Sequence, residues 1–515
     1  MWYSRPAMFA AARLFVILGS GVTLACPALS AEPSAGVSSA FTAALQSVSG
    51  SRAYEDVVRL SAPEMNGRLT GTSDDLESGR LVADRFQMLG LHSAGTESLP
   101  GGSPAHPWTM TMEVNVGQIT SETGLELTVG NGLIPAQLGT DYLPVLDSPS
   151  VKIAAPIVFV GYGISDSGRG FDEYAGLDVR NRIVLFLRGK PAHYPGVASQ
   201  EDKVRTARQM GAVAYLTVTG PILSAYEARR GVSGAPMGSF GSPQGSTGSE
   251  PQLAGCWIST SLAEKILEAG DLSLRDLQER LNRTPAPQSR ATDVIARLAW
   301  TSTRDAGTLR NILGLVPAAG PPAPSFPEQT VIIGAHRDHL GRHGGTLFPG
   351  ADDNASGTAI LLEVARALTQ AGLRAKRALL FVSFSGEEQG LLGSRLYTSR
   401  PPRPLAATAA MINVDHAGVG NGRLTVGVSG IEKSVAEEAG RLAGFPDRLD
   451  LFGYFPGGDH VPFKEAGVPT ITVVSSGRHP DFHQPTDTPD KVKPEILEMV
   501  ARYVLAVAWQ VANAP

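Results

Sequence analysis

Apolar segments of strand length alternate with helix-length segments through the last third of the chain, and this alternation constrains the fold more than any other feature. After the proline-rich stretch 317–327, the sequence predicts strands at 331–335, 378–384, 410–414 and 470–474. It predicts helices at 357–368, 391–397 and 434–442, and a final helix from Pro494. Strands that alternate with helices form a parallel or mixed sheet covered on both faces. The predicted fold class is therefore α/β, with a mixed, mostly parallel sheet sandwiched by helices.

Residues of metal-ligand type follow these strands. They are His336 and Asp338, Asp352 and Asp353, Glu387 and Glu388, Asp415 and, in a later loop, His483. Seven of the ten histidines lie between positions 336 and 483. Each residue alone has an ordinary structural explanation, such as a hydrogen-bonded histidine or an acidic residue at a helix start. Because the carboxyl ends of parallel strands meet at one edge of a sheet, the set as a whole predicts a metal site there.

The upstream part of the chain shows the same two kinds of segment. The sequence predicts a helix capped by Ser73 and ending at Leu89, strands at 157–160 and 183–186, a helix at 202–210 and a strand at 212–218. Three stretches rich in glycine and proline, 98–108, 235–255 and 317–327, are typical of surface connections or domain boundaries. A chain of 515 residues, 42% of them hydrophobic, is expected to be globular with two or three lobes.

The N-terminus resembles an export signal. Arg5 and Arg13 precede an apolar run at 14–25, which is too short to span a bilayer, and small residues follow as far as Ala31. We therefore expect residues 1–31 to be a signal peptide and the protein to be exported, either periplasmic or secreted. An uncleaved N-terminal anchor is the alternative, and no other stable membrane span is expected.

The two cysteines bear on the same question. Cys26 follows the apolar run, but Thr23 stands where a bacterial lipidation motif requires leucine, which disfavours a lipid anchor at Cys26. Removal of the signal peptide would leave Cys256 alone, so the mature chain would have no internal disulfide.

Net charge and missing motifs exclude several classes of function. The formal charge is −5, which favours neither nucleic acid nor an anionic membrane as a partner. The sequence contains no HExxH, no GxSxG and no phosphate-binding loop. The sequence therefore lacks the motif residues that the commoner hydrolase and nucleotide-binding classes require.

Six motifs in the last third, taken together, resemble the secreted di-zinc aminopeptidase family, which also contains glutamate carboxypeptidase, the transferrin receptor and the glutaminyl cyclases. They are GAHRDHLG at 334–341, GADDNASG at 350–357, SGEEQGL at 385–391, NVD at 413–415, GDHVPF at 458–463 and FHQPTDT at 482–488. A second resemblance lies in the middle of the chain, where FVGYGI at 159–164, YAGLDV at 174–179 and the segment 203–218 are similar to a protease-associated domain.

These resemblances imply a domain organisation. Residues 32–137 would be the N-terminal part of the peptidase domain, and 138–290 would be an inserted protease-associated domain, a smaller β-rich α/β module. Residues 291–515 would complete the catalytic zinc peptidase domain.

The family resemblance also implies a role for each motif residue. His336 and Asp415 would hold one zinc ion, Glu388 and His483 the other, and Asp352 would bridge both. Glu387 would be the general base, and Asp338 would accept the far ring N–H of His336. The peptide bond after the bridging aspartate, Asp352–Asp353, is expected to be cis.

The donor types agree with this assignment independently of the family. Two histidines and three carboxylates suit zinc and leave positions open for water and substrate. Two zinc ions would lower the pKa of a shared water towards 7. A carboxylate that binds metal is a poor proton acceptor, which is a physical reason for two adjacent glutamates to divide the tasks.

Two departures from the family pattern limit the comparison. Phe482 and Gly458 stand where relatives often have tyrosine and serine. An oxyanion-stabilising tyrosine is therefore not provided by the motif, and Tyr454 is the candidate that remains.

The sequence predicts an exported di-zinc metallo-aminopeptidase whose substrates are peptides with a free N-terminus. A carboxypeptidase or dipeptidase on the same centre is the alternative, and it would need a cation such as Arg337, Arg395 or Arg478 for the terminal carboxylate. Glutaminyl cyclase chemistry, which uses one zinc ion, is disfavoured by the complete bridging set. A non-catalytic receptor of the same fold would be expected to lack ligands.

Overall fold

The computed structural model describes residues 39–240, 252–320, 329–454 and 457–514. The predicted signal peptide, 1–31, lies outside the described residues. Within them, no helix combines the length and the apolar character needed to cross a lipid bilayer.

The described residues form helices and strands that alternate along much of the chain. The helices are α1 (Ser39–Ser47), α2 (Gly50–Leu60), α3 (Ser73–Met88), α4 (Gln200–Gln209), α5 (Ala225–Arg230), α6 (Thr260–Glu268), α7 (Leu274–Arg283), α8 (Ser356–Gln370), α9 (Leu392–Ser399), α10 (Lys433–Ala443), α11 (His460–Glu465) and α12 (Pro494–Asn513). The strands as far as residue 258 are β1 (His92–Ser93), β2 (Thr109–Val129), β3 (Gly132–Ile134), β4 (Tyr142–Pro144), β5 (Val151–Phe159), β6 (Ser165–Asp166), β7 (Phe171–Asp172), β8 (Ile183–Leu187), β9 (Ala214–Val218) and β10 (Ala254–Ile258). The later strands are β11 (Arg290–Val316), β12 (Thr330–His336), β13 (Gly341–His343), β14 (Thr346–Phe348), β15 (Ala378–Phe384), β16 (Thr408–Val414), β17 (Leu424–Ser429), β18 (Leu449–Phe452) and β19 (Thr470–Ser475).

One large sheet runs through the described part of the molecule. Its strand order is β18-β17-β19-β16-β12-β15-β11-β5-β8-β9-β10-β4, and most neighbours along this path are parallel. The pairs of β11 with β15 and β5, of β17 with β19 and of β10 with β4 are antiparallel. The predicted fold class, a mixed and mostly parallel sheet sandwiched by helices, is confirmed.

Strand β11 joins the two halves of this sheet. Its first part pairs with β5 and its last residues pair with β15, while β2 runs antiparallel beside it for most of its length. Strand β2 lies upstream of the predicted boundary at 138, yet it forms a hairpin-like ladder with a strand that begins at Arg290. The domain boundaries at 138 and 290 stay a prediction.

Each half of the sheet has an apolar core on both faces. In the half that carries the motifs, α8 and α12 pack on one face, and α9 and α11 pack on the other. In the half formed by β4, β5 and β8–β10, α6 and α7 cover one face and α4 contributes to the other. We call these the motif half and the insert half. Burial of this apolar surface is the main term that stabilises each half.

The predicted elements of the motif half agree with the observed ones to within three residues at each end, because apolar runs and helix caps define them locally. Ser73 is not the N-cap of α3, however. Thr72 caps the helix by accepting a hydrogen bond from the Asp75 backbone N–H, and Ser73 is the first helical residue. The pairing of β2 with β11 was not predicted, because it joins segments far apart in sequence.

Candidate metal centre

The ligand-type residues lie at the carboxyl ends of adjacent strands. His336 is the last residue of β12, and Asp415 directly follows β16, which pairs with β12 in parallel. Glu387 and Glu388 follow β15, which pairs with β12 on its other side. The parallel register therefore brings these side chains to the same edge of the sheet.

Two groups of donor atoms meet at this edge and share Asp353. Oδ1 of Asp353 is 3.4 Å from His336 Nε2, which is also 3.4 Å from Asp415 Oδ1. Oδ2 of Asp353 is 3.2 Å from His483 Nε2, which is 3.0 Å from Glu388 Oε2. Each oxygen of one carboxylate thus belongs to a different triad.

The spacing of these atoms fits two divalent cations. Two ligand atoms about 2.0–2.1 Å from one tetrahedral zinc ion lie roughly 3.3 Å apart, close to the spacing within each triad. Asp415 Oδ1 is buried and has no hydrogen-bond partner among the described residues, as expected of an atom whose partner is a cation. Imidazole nitrogens with carboxylate oxygens are a donor set that suits zinc. The residues present therefore fit a two-metal site.

Asp353, rather than the predicted Asp352, occupies the shared position. Oδ1 of Asp352 accepts backbone hydrogen bonds from Gly418 and Val419, and Oδ2 lies 2.5 Å from Nδ1 of His479. The prediction that Asp352 bridges the two groups is wrong by one position, because the turn directs adjacent carboxylates to different partners. The cis peptide bond likewise lies one residue later than predicted, between Asp353 and Asn354.

Buried charged residues hold the turn that carries Asp353. Asp487 accepts the backbone N–H groups of Asp352 and Asp353 on its two carboxylate oxygens, at 2.9 and 3.0 Å. Arg68, which is fully buried, donates to the carbonyl oxygens of Pro349 and Gly350 at 2.8 Å. The same guanidinium donates to the carbonyl of Arg337 at 2.6 Å, so that it ties the turn to the end of β12.

Asp338 lies behind His336, although its carboxylate is not the nearest acceptor. His336 Nδ1 is 3.2 Å from the backbone oxygen of Asp338 and 3.7 Å from its Oδ1. The carboxylate instead accepts Thr70 Oγ1–H at 2.9 Å and the backbone N–H groups of Glu387 and Glu388 at 3.3 and 3.4 Å. Asp338 thus connects the predicted ligand His336 to the glutamate pair, and burial raises its pKa to about 6.

The two adjacent glutamates lie in different electrostatic surroundings. Burial, together with the charges of Glu388 and Asp415, raises the pKa of Glu387 well above its ordinary value. Burial also acts on Glu388, but the charges of His483 and His339 lower its pKa to about 2. Donor atoms of Glu387, His336 and Asp415 lie within 4.8 Å of one another. Environments that separate two carboxyl pKa values in this way are typical of a division between acid–base and charged roles.

Sequence reasoning missed several residues around the site. Nδ1 of His339 lies 2.7 Å from Glu388 Oε1 and therefore donates to that carboxylate. The ring of His416 lies near Asp353, with Nε2 at 3.7 Å from Oδ2. Both histidines lie in the stretch 336–483 that is rich in histidine. Their positions relative to the strands did not show that they belong to the site.

The other predicted candidates lie in varied surroundings. Tyr454 is half-exposed and lies under Lys464 Nζ, 3.9 Å from the ring centre, so its proposed oxyanion role stays a prediction. The ring of Phe482 stacks on His483 at 3.9 Å between centroids.

The three arginines considered for a terminal carboxylate have neighbours of their own. Arg337 is buried and pairs with Asp75 at 2.7 Å, and Arg395 pairs with Glu465 at 3.1 Å. Arg478 packs against Gly231.

Comparison with known proteins points to one family for the motif half. Residues 314–508 match the family model described as Peptidase family M28. A probable leucine aminopeptidase of Arthroderma otae is 32% identical over 210 residues, which cover 37% of this chain and 56% of the relative. A probable glutamate carboxypeptidase, VP8 of Zea mays, is 26% identical over 473 residues, or 82% of this chain and 60% of the relative. The chain thus spans about half the length of the curated relatives it matches.

Solved structures share the fold over almost the whole chain. An aminopeptidase from Aneurinibacillus sp. strain AM-1 superposes with a TM-score of 0.63 at 22% identity, covering 92% of this chain and 97% of its own. BSAP, a zinc aminopeptidase from Bacillus subtilis, superposes with a TM-score of 0.59 at 20% identity, covering 90% of this chain and 96% of its own. At this level of identity the likeness concerns the fold alone. Residues 314–508 are thus similar to peptidase family M28, and the chain as a whole shares its fold with these two aminopeptidase structures.

Proposed function

We propose that the protein is an exported di-zinc aminopeptidase that removes N-terminal residues from peptides. The observation that carries this proposal is the pair of donor triads that share the two oxygens of Asp353. The first triad, His336 and Asp415 with Asp353, would hold one zinc ion. The second, Glu388 and His483 with Asp353, would hold the other.

When bound, two zinc ions would supply the positive charge that polarises the scissile carbonyl and makes a water more acidic. Glu387 accepts the proton of the attacking water on its carboxylate and returns it to the leaving amine nitrogen. Burial raises the pKa of Glu387, which makes its carboxylate a better proton acceptor than that of an ordinary glutamate. Glu388 is instead fixed between His339 and His483, which suits a ligand. Asp338 orients both glutamates through their backbone N–H groups.

The preference for a free N-terminus follows from charge. The edge of the sheet is lined by carboxylates, those of Asp353, Glu388 and Asp415 among them. A substrate ammonium group is attracted to such surroundings. The pairing of Arg337 with Asp75 and of Arg395 with Glu465 leaves both guanidinium groups engaged away from a substrate carboxylate.

A carboxypeptidase on the same centre is the second candidate, favoured by the match to the Zea mays relative over most of the chain. One peptide in its free, N-acetylated and C-amidated forms distinguishes the two, with products read by mass spectrometry. We expect N-terminal shortening that acetylation abolishes and amidation leaves unchanged. C-terminal shortening that survives acetylation would establish the carboxypeptidase instead.

Metal analysis tests the centre itself. We expect about two zinc ions per chain in active protein, and activity that disappears on exhaustive chelation and returns with zinc or cobalt. One ion or none in active protein would contradict the shared site.

The division of the chain is part of the same proposal. Residues 138–290 would be a protease-associated insert between two parts of the peptidase domain, 32–137 and 291–515. The separate apolar cores of the two halves support an insert, although the core of the insert half also includes Leu125 and Leu127 of β2 and Val294 to Trp300 of β11, outside 138–290.

A further inference from the structure

A segment of the insert half lies against the loop that carries His483. This segment, residues 230–240, begins at the last residue of α5, and we call it the docking segment. It forms four hydrogen bonds with the loop 479–484, two of them through backbone atoms alone. The backbone N–H of His479 donates to the carbonyl of Arg230 at 2.6 Å, and the amide of Gln484 donates to the carbonyl of Pro236 at 3.0 Å.

The remaining two bonds join Gly238 to His483. The Gly238 N–H donates to the His483 carbonyl at 3.1 Å, and the ring Nδ1 of His483 lies 2.8 Å from the Gly238 carbonyl oxygen. Because a carbonyl oxygen only accepts, Nδ1 must carry the proton. The other ring nitrogen, Nε2, then faces Asp353 and Glu388.

The backbone of His483 also needs support. Its φ angle is 55°, in the left-handed region that residues other than glycine seldom adopt. The two bonds with Gly238 involve both the backbone and the side chain of His483, so they fix the ring in its direction as well as the chain in this conformation.

The docking segment is in turn anchored in the insert half. The Ser239 carbonyl accepts the backbone N–H of Leu146, and the Ser239 hydroxyl accepts the indole N–H of Trp257 at 2.7 Å. Met237 belongs to the apolar core of the insert half, against which Phe482 also packs. The residue directly before His483 is therefore held by that core.

Glycine at 238 permits this close approach. A Cβ atom there would lie 2.5 Å from Leu340 Cδ1 and 3.0 Å from Phe348 Cε1, both in the motif half. A larger residue requires either these buried side chains or the docking segment to shift, and a shift of the segment moves the carbonyl that faces His483.

We propose that Gly238 is a positioning residue of the metal centre, whose carbonyl holds the His483 ring so that Nε2 faces the second donor triad. The insert half is then a structural part of the centre, although it supplies none of the ligands. Loss of a group that orients a metal-binding histidine through its far ring nitrogen typically weakens metal binding 10–100-fold. The inference rests on the proposed function to the extent that the second triad binds zinc.

The test compares Gly238→Val with Gly168→Val, a control at an exposed turn of the insert half. Zinc affinity is measured by competition with a chelator in metal-titrated full-length protein. We expect the site that contains His483 to bind zinc 10–100-fold more weakly in Gly238→Val, while the site that contains His336 keeps its affinity and the control keeps both. Equal weakening of both sites, or of neither, would overturn the proposal.

Two further measurements cover a Gly238→Val variant that does not fold. Gln484→Ala removes one docking bond without touching Gly238 and should weaken the same site in the same direction, by a smaller factor. In ¹⁵N-histidine spectra of metal-free wild-type protein, assigned with His483→Gln, we expect a protected Nδ1–H on His483. Absence of that signal refutes the role of Gly238, whereas a wild-type protein that shows the signal but binds no zinc refutes the proposed function alone.

Discussion

The two histidines of the candidate metal centre, His336 and His483, are positioned in contrasting ways. Nδ1 of His336 lies 3.2 Å from the backbone oxygen of Asp338, two residues away in the same strand end. Nδ1 of His483 donates to a residue 245 positions away, on a segment that belongs to the other half of the sheet. The first arrangement is contained in a short motif, whereas the second exists only after both halves have folded. A centre with similar ligands on its two sides therefore depends on different parts of the chain.

The shared carboxylate gives the largest expected effect, since both sides depend on it. Asp353→Asn removes the negative charge that would face both cations. Bound metal typically stabilises the transition state by several kcal/mol, so its loss should lower turnover by at least about 10³-fold. We expect zinc content to fall well below two per chain, measured by elemental analysis, together with that loss of activity. Asp352→Asn is the matched neighbour and should retain metal. Equal losses in both variants would restore Asp352 as the bridge.

The glutamate pair gives the next largest effect. Glu387→Gln keeps size and hydrogen bonding but removes the proton acceptor, so turnover should fall at least about 10²-fold with two zinc ions retained. Glu388→Gln should instead weaken zinc binding on the side of His483. Parallel measurement of zinc content and steady-state rates separates the two outcomes. Proportional loss of metal and activity in both variants would contradict the division.

Replacement of Asp338 sharpens the contrast between the two histidines. Asp338→Asn keeps the backbone oxygen that faces His336. It replaces the carboxylate, which accepts hydrogen bonds from the Thr70 hydroxyl and from both glutamate N–H groups, by a neutral amide. We expect zinc binding to weaken roughly tenfold, and the zinc site that contains His336 to be among those affected. Losses of this size are typical when a residue that supports a metal ligand is replaced. Chelator competition should therefore detect weakening of the His336 side in this variant but not in Gly238→Val. A His336 side that keeps its affinity in both variants would remove the distinction.

The remaining prediction concerns pH and the stability of the insert half, and it leaves the metal centre unchanged. Burial raises the pKa of Glu173 from 4.5 to about 7. A carboxyl whose pKa is raised on folding contributes stability below its unfolded pKa and loses that contribution as pH rises through the folded value. The insert half should thus lose up to about 3 kcal/mol of unfolding free energy between pH 4.5 and 7 from this group.

Glu173→Gln should remove that pH dependence. Thermal unfolding of metal-free protein should show the variant gaining stability relative to wild type as pH rises from 4.5 to 8. A constant difference across this range would exclude the Glu173 carboxyl as its source.

The sequence predicted the motif half well because its information is local. Strands such as 378–384 are apolar at all but one position, and the residues of ligand type follow them within a few positions. The choice between Asp352 and Asp353 was missed because two adjacent carboxylates are chemically identical, and only the turn held by Asp487 and Arg68 distinguishes them. The roles of Gly238 and of the long β2–β11 pairing depend on contacts across hundreds of residues, for which a single sequence carries no local pattern.

Strand β11 also determines how the two halves can move. It is 27 residues long and belongs to both halves, and β2 is hydrogen-bonded along it on either side of the register shift between Trp300 and Ser302. The β2–β11 ladder therefore resists bending between the halves along most of its length, and it resists least near that irregularity. A force applied to the insert half would be transmitted along β11 to β15, with which its last residues pair.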